Sequence, residues 1–189
     1  MGFAFCKKID KQAAQNRLVV YLDRLYGYAC SLTKDREYAQ DLVQITAVKA
    51  LTAKKIPVDE SAYRAWLFTI MRNTFRDELR RNGDNTVSLE QIEEKSDLWN
   101  KIDDSYVSTN SERAIITKLS VHSSLEKLSH DHREIIMLVD VLGFSYRECA
   151  DILDVPGGTI MSRISRARKS LLGIMSQGQS KSVVSSMEF

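Results

Sequence analysis

The chain has 189 residues, enough for one domain or two small ones, and 43% of them are hydrophobic. Pro57 and Pro156 are its only prolines and glycines number eight, a scarcity of breakers that favours helices, while no apolar run nears the roughly 18 residues that cross a membrane. The net charge of +2 hides an uneven spread: residues 1–82 hold 15 basic and 9 acidic residues, 83–112 hold 2 and 8, and 113–189 hold 10 and 8. Two base-bearing segments flanking an acidic one point to a polyanionic partner.

The N-terminus has its charge, Lys7 and Lys8, after a very short apolar patch, the wrong order for a secretory signal. Gly2 is followed by Cys6 where a myristoylation motif wants Ser or Thr, so a soluble, cytoplasmic protein is expected, without membrane insertion. Cys6, Cys30 and Cys149 are too far apart for a metal motif and odd in number for a disulfide framework, so they read as small apolar filler.

In chain order, a first helix is expected over about 12–32, where Leu18, Leu22, Leu25, Ala29 and Leu32 recur at helical spacing. A second is expected over about 35–54. Its small residues Ala39, Val43, Ala47 and Ala50 form one face, and Asp41, Gln44, Ile45 and Val48 form the other. An ordinary surface helix has a polar back; two β-branched apolar residues beside a carboxylate and an amide suit a protein partner, although a helix sandwiched inside its own domain would read the same way. After a loop at 54–60, with Ser61 as N-cap, a third helix is expected over 61–81. Trp66, Leu67, Ile70, Met71 and Thr74 mark its core side. Arg64, Phe68, Arg72, Arg76 and Arg80 follow at steps of four, a basic stripe with an aromatic that could stack on an unpaired base. The bland alternative is a solvated basic face with Phe68 and Phe75 tucked against a neighbouring helix.

The acidic stretch 83–112 reads as a linker, with a short helix near Leu89–Trp99. Helices are then expected over 117–128 and 131–142, with Ser129 capping the second and Gly143 ending it in the left-handed conformation. Ser145 and Glu148 have capping-box spacing with Phe144 as staple, opening a helix over 146–153. The turn 154–158 leads into a last helix over about 158–172, and the tail from 174 reads as disordered. That last helix buries Ile160, Ile164, Ala167 and Leu171. Residues 159–172 carry four basic and no acidic residues, whereas 126–155 are net −4. A cationic helix on an acidic domain fits the second helix of a helix-turn-helix, with early side chains at base edges and later Arg and Lys on phosphates.

These residues resemble the extracytoplasmic-function (ECF) group of the sigma-70 family. The resemblance rests on Asp41-Leu42-Val43-Gln44, Ala65-Trp66-Leu67, Arg72-Asn73 and Asp77-Glu78-Leu79-Arg80-Arg81, then on Gly143-Phe144-Ser145, Glu148-Cys149-Ala150 and the run Gly158 to Arg168. It covers about 18–172. It implies an all-α protein of two small helical domains: region 2 over 12–82 and region 4 over 113–173, joined by the acidic linker. It further implies that Asp41, Gln44, Ile45 and Val48 bind the RNA polymerase core. Arg64, Phe68, Arg72, Asn73, Arg76 and Arg80 would bind and help open the −10 element. The loop 54–60 would hold a base flipped from the non-template strand. Thr159, Met161, Ser162, Arg163, Ser165, Arg166 and Lys169 would read the −35 element. An anti-sigma factor is the implied regulator. Four positions depart from the family pattern: Ala47 replaces a bulky aromatic, Ser129 a proline, Met161 a lysine, and Cys149 an aliphatic residue or alanine.

The competing reading within DNA binding is a helix-turn-helix regulator that does not join the polymerase; it leaves the apolar back of the second helix unexplained. An enzyme has little to stand on. His122, His130 and His132 are the only histidines, no phosphate loop, nucleophile elbow or HExxH motif is present, and no cofactor, metal or small-molecule substrate is implied.

Overall fold

A computed structural model describes residues 5–6, 11–33, 35–83, 121 and 123–185. The expected linker from 84 onward and its short helix near 89–99 lie outside the described residues, as do 117–120 and the last residues of the tail.

Seven helices and one small strand pair make up the described chain: β1 (Phe5–Cys6), α1 (Lys11–Val19), α2 (Leu22–Thr33), α3 (Arg36–Thr52), β2 (Ile56–Pro57), α4 (Glu60–Gly83), α5 (His130–Ile136), α6 (Tyr146–Leu153) and α7 (Gly157–Ser185). Residues 123–126 are also helical. β1 and β2 pair antiparallel, Phe5 with Pro57 and Cys6 with Ile56. The α5 spiral widens into a π-type turn over Met137–Val141, closed by the amide of Leu142 donating to the carbonyl of Met137 at 2.9 Å. No described helix is long and apolar enough to cross a membrane.

The first expected helix is two. The chain breaks at Val20 and Tyr21, where the Tyr21 amide bonds back only to Leu18, and Tyr21 turns into the core to reach Glu60. The start of α4 also differs from expectation. Asp59, not Ser61, caps it, accepting from the amide of Ala62 at 2.9 Å and from the Ser61 hydroxyl at 2.8 Å. On α3 the buried side is Ala39, Leu42, Thr46 and Ala50, with Val43 and Ala47 only half-buried. Asp35 caps this helix through the amide of Tyr38.

The second half keeps its capping box and its glycine stop. Ser145 and Glu148 form both bonds of the capping box, and Gly143 ends the preceding helix at φ +69°. Ser129 sits at the start of α5, but its side chain makes no cap bond and only its carbonyl accepts, from Arg133. The tail expected to be disordered instead continues α7 as helical backbone to Ser185. Ile174 packs partly on the core, no proline intervenes, and a nucleated helix adds one hydrogen bond for each further residue it orders.

The core of α1–α4 (Leu25, Leu42, Leu67, Met71, Phe75) and the core of α5–α7 (Ile135, Leu138, Ile152, Ile160, Ile164) form one continuous cluster. It is continuous because α5 packs on α2 and α6 packs on α4. Cys30 and Cys149 are buried within it. Burial pushes the Cys149 thiol up to about 12 and the Cys30 thiol upward, which leaves both unreactive.

Candidate nucleic-acid interface

Each patch of the sequence reading has a definite place. On α3, Asp41 and Gln44 are exposed, Ile45 is half-buried, and Val48 is 61% exposed. A β-branched residue this open, beside an exposed carboxylate and amide, departs from the polar back of an ordinary surface helix. On α7, Ile160, Ile164 and Ala167 are buried, which leaves Ser162, Ser165, Arg166 and Lys169 exposed with Met161 at 60%. Thr159 and Arg163 are half-buried at the edges. Arg166 folds back on its own helix, its Nε donating to the carbonyl of Ser162 at 3.2 Å. Arg168, outside the expected reading set, is instead taken up by Asp140 in a two-point contact.

The basic stripe of α4 has a different environment. Asn73 and Arg80 are exposed and Arg76 half-buried, but Phe68 is fully buried. Phe68 lies 5.3 Å from the Tyr28 ring and 4.9 Å, edge-on, from the ring of Phe144. The expectation of an exposed Phe68 on the stripe is therefore corrected in favour of the packed alternative: Phe144, far along the chain, closes over it. Phe144, expected to staple its own helix, packs across this boundary. Arg64 lies over the Phe144 ring, with its guanidinium 4.1 Å from the centroid, bonded to the carbonyl of Gly143 and near Glu148.

Arg72 enters a buried polar knot. Its Nε donates to Glu134 Oε1 at 3.1 Å, and the Tyr28 hydroxyl donates to the same oxygen at 2.8 Å. The side chains of Arg72 and Glu134 are 12% and 3% exposed. Burial, then the neighbouring Glu134 carboxylate, pushes the Tyr28 phenol well above its ordinary range, so it stays a donor. Beside the knot, buried Arg133 donates to the carbonyls of Leu125 and Leu128 within its own half and to Ser31 across the boundary. Phe75 stacks on His130.

None of Tyr28, Arg133 and Glu134 was singled out by sequence reasoning. A signal existed: Glu134 falls one helical turn before Leu138, on the core side of an apolar-periodic helix, where a carboxylate needs a partner. His130, Asp131 and Glu134 are close enough together to hold a metal ion. Arg72 and Tyr28 already occupy Glu134, however, and Arg163 lies 3.7 Å from Asp131, so the donor set is charge-balanced without one. His130, then Arg163, holds the Asp131 carboxyl below its usual range.

Comparison with known proteins gives a consistent picture. The family model Sigma-70 region 2 matches residues 19–84, and Sigma-70, region 4 matches residues 118–171. The chain is 34% identical over 151 residues to the ECF RNA polymerase sigma factor EcfG of Rhodopseudomonas palustris (strain TIE-1), covering 80% of this chain and 78% of that protein. It is 30% identical over 171 residues to the RNA polymerase sigma-H factor of Pseudomonas aeruginosa, covering 86% of each. Among solved structures it is similar to the sigma factor RpoE in complex with the anti-sigma factor NepR from Bartonella quintana. That match has a TM-score of 0.65 and 31% identity over 86% of this chain and 96% of that one. It is also similar to CnrH in complex with the cytosolic domain of CnrY, with a TM-score of 0.60 and 25% identity over 89% and 90% of the two chains.

Proposed function

The chain belongs to the extracytoplasmic-function group of the sigma-70 family and directs promoter-specific transcription initiation by RNA polymerase, and from that premise we propose how its surfaces divide the work. Asp41, Gln44, Ile45 and Val48 dock on the polymerase core. The outer face of α7, from Thr159 through Met161, Ser162, Arg163, Ser165 and Arg166 to Lys169, reads the −35 element, with polar side chains at base edges and cations on phosphates. The stripe Arg64, Arg72, Asn73, Arg76 and Arg80 engages and opens the −10 element, and the loop 54–60 holds an unpaired base of that element.

The stripe assignment requires a second arrangement of the chain. Arg64, Phe68 and Arg72 are covered by α6 and the segment before it, so the α5–α7 unit must leave α4 before the stripe can reach DNA. The closed arrangement is then a resting form. An anti-sigma factor is the natural regulator of this equilibrium, because the solved relatives RpoE and CnrH were captured with NepR and with the cytosolic domain of CnrY. The protein acts as a binding subunit in the cytoplasm and supplies no catalytic group or cofactor of its own.

The observation that carries this reading is the coexistence, in one chain, of an exposed mixed face on α3 with an exposed basic face on α7. A regulator independent of polymerase would use only the second. Reconstitution with core polymerase tests the division. Asp41→Arg is expected to abolish co-elution with core while Arg166→Ala keeps it and loses dependence on the upstream element. Equal core binding by folded Asp41→Arg would remove the α3 assignment.

A further inference from the structure

The loop between α3 and α4 is short, yet three distant parts of the chain brace it. Arg17 of α1 spends its whole guanidinium there. Nη1 donates to the carbonyl of Pro57 at 2.8 Å, Nη2 to the carbonyls of Val58 and Asp59 at 3.0 and 3.1 Å, and Nε to Glu60 Oε2 at 2.8 Å. The cation lies on the face of Tyr63, 3.9 Å from the ring centroid. Tyr21 donates its hydroxyl to the other Glu60 oxygen, so the partner of Arg17 is itself held. On its other edge the loop is paired as β2 with β1.

The consequence is geometric. Three successive carbonyls converge on one planar fork, which fixes the peptide planes of 57–59 and turns the rest of the loop outward. Lys54 and Lys55 are exposed, and Val58 is 57% exposed. This bracing exceeds what joining two helices needs, since α4 already has its own cap in Asp59. A loop ordered in advance loses little conformational freedom on binding, and a surface that cannot adapt rejects ligands of the wrong shape. The outward group, one apolar side chain with two cations three and four residues before it, suits the flat face of a base and its neighbouring phosphates.

We propose that Arg17 is a positioning residue for base selection: it presets the 54–60 loop so that Val58, Lys54 and Lys55 meet an unpaired base of the −10 element in one fixed geometry. The inference rests on the reading that this loop holds such a base. It requires the fork and not merely the charge, since a lysine cannot bind three carbonyls and a carboxylate at once.

The test uses core polymerase reconstituted with the full chain and transcribing a template set randomised across the −10 element. The readout is the preference for the best over the worst base at each position. Val58→Ser combined with Lys55→Gln should reshape that preference at one position. No change there would remove the reading that the loop holds a base. Arg17→Lys should lower the preference at that same position by about fivefold or more, the scale of one lost base discrimination, and leave the other positions and the −35 requirement as in wild type. Glu60→Gln, a milder change, should move it in the same direction. If the loop variant alters preference while Arg17→Lys and Glu60→Gln retain the wild-type profile, or lower all positions uniformly, the positioning role is overturned. Melting temperatures of all variants separate loss of fold from loss of selection.

Discussion

α4 and α7 both carry a row of cations, and the fold treats them in opposite ways. On α7 the apolar face is satisfied within its own unit by Ile160, Ile164 and Ala167, so the basic face has nothing left to bury and stands open. On α4 the row includes Phe68, an aromatic whose ring meets Tyr28 in its own unit and Phe144 of the other. Beside that contact, Arg64 and Arg72 find carbonyl and carboxylate partners. A helix whose apolar requirement is met locally can display its charges, whereas one with an aromatic among its charges is drawn into a contact that hides them. In the closed arrangement one cationic row is thus presented and the other is partly covered.

The largest effect is expected at Phe68. Phe68→Ala removes a buried aromatic that touches both units and should cost about 3–5 kcal/mol, lowering the melting temperature by roughly 10 °C. A pre-melted bubble should not rescue its transcription, because the defect lies in the fold. A stable Phe68→Ala protein rescued by a bubble would return Phe68 to a purely exposed role. Next in size is Glu134→Gln, which leaves the Arg72 guanidinium without its carboxylate. Breaking a buried ion pair costs about 3–5 kcal/mol, and the partial exposure of Arg72 places this one at the lower end. The loss should appear as a wider separation of the two units, read by energy transfer between labels on each.

Much of this was legible in advance where the physics is local. The capping box of Ser145 and Glu148, the left-handed Gly143 and the buried face of α7 each depend on residues within one or two turns of one another. What escaped depends on partners far along the chain. Nothing near Ser61 says that Asp59 will take the cap, nothing near Tyr21 says that it will turn toward Glu60, and nothing in the spacing of the stripe says that Phe144 will cover it. Helical periodicity identified Phe68 as one of a row but gave no account of what faced that row. The helix through the tail was missed for a different reason: Ser and Gly are weak helix formers, but weak propensity does not stop a helix already running.

Smaller effects sharpen the same contrast through pH. The Tyr28 phenol is held protonated by burial and by Glu134, so its folded value lies above its unfolded one, near 10. The stability it contributes is complete below about pH 10 and is lost as pH rises above that toward the folded value. The contact between units should therefore loosen in alkali, and Tyr28→Phe should remove part of that loosening. An alkaline transition unchanged by Tyr28→Phe would place its cause elsewhere. The smallest stability effects belong to the open faces. Asp41→Arg and Arg166→Ala should each change stability by less than about 0.5 kcal/mol, as exposed substitutions do, while impairing core binding and upstream-element use respectively. A large drop in melting temperature from either would contradict the exposure of these faces.

The central claim is that the α5–α7 unit covers the α4 stripe in the free protein and leaves it when promoter is engaged. Energy transfer between dyes on Arg24→Cys and Asp151→Cys, both exposed and on opposite units, in a chain that also carries Cys6→Ser, measures this most directly, since the native Cys30 and Cys149 are buried. The account predicts one high-transfer population for the free chain and a clear fall in transfer once the labelled protein is assembled with core polymerase on a promoter. Equal transfer in the free chain and in the promoter complex would contradict it.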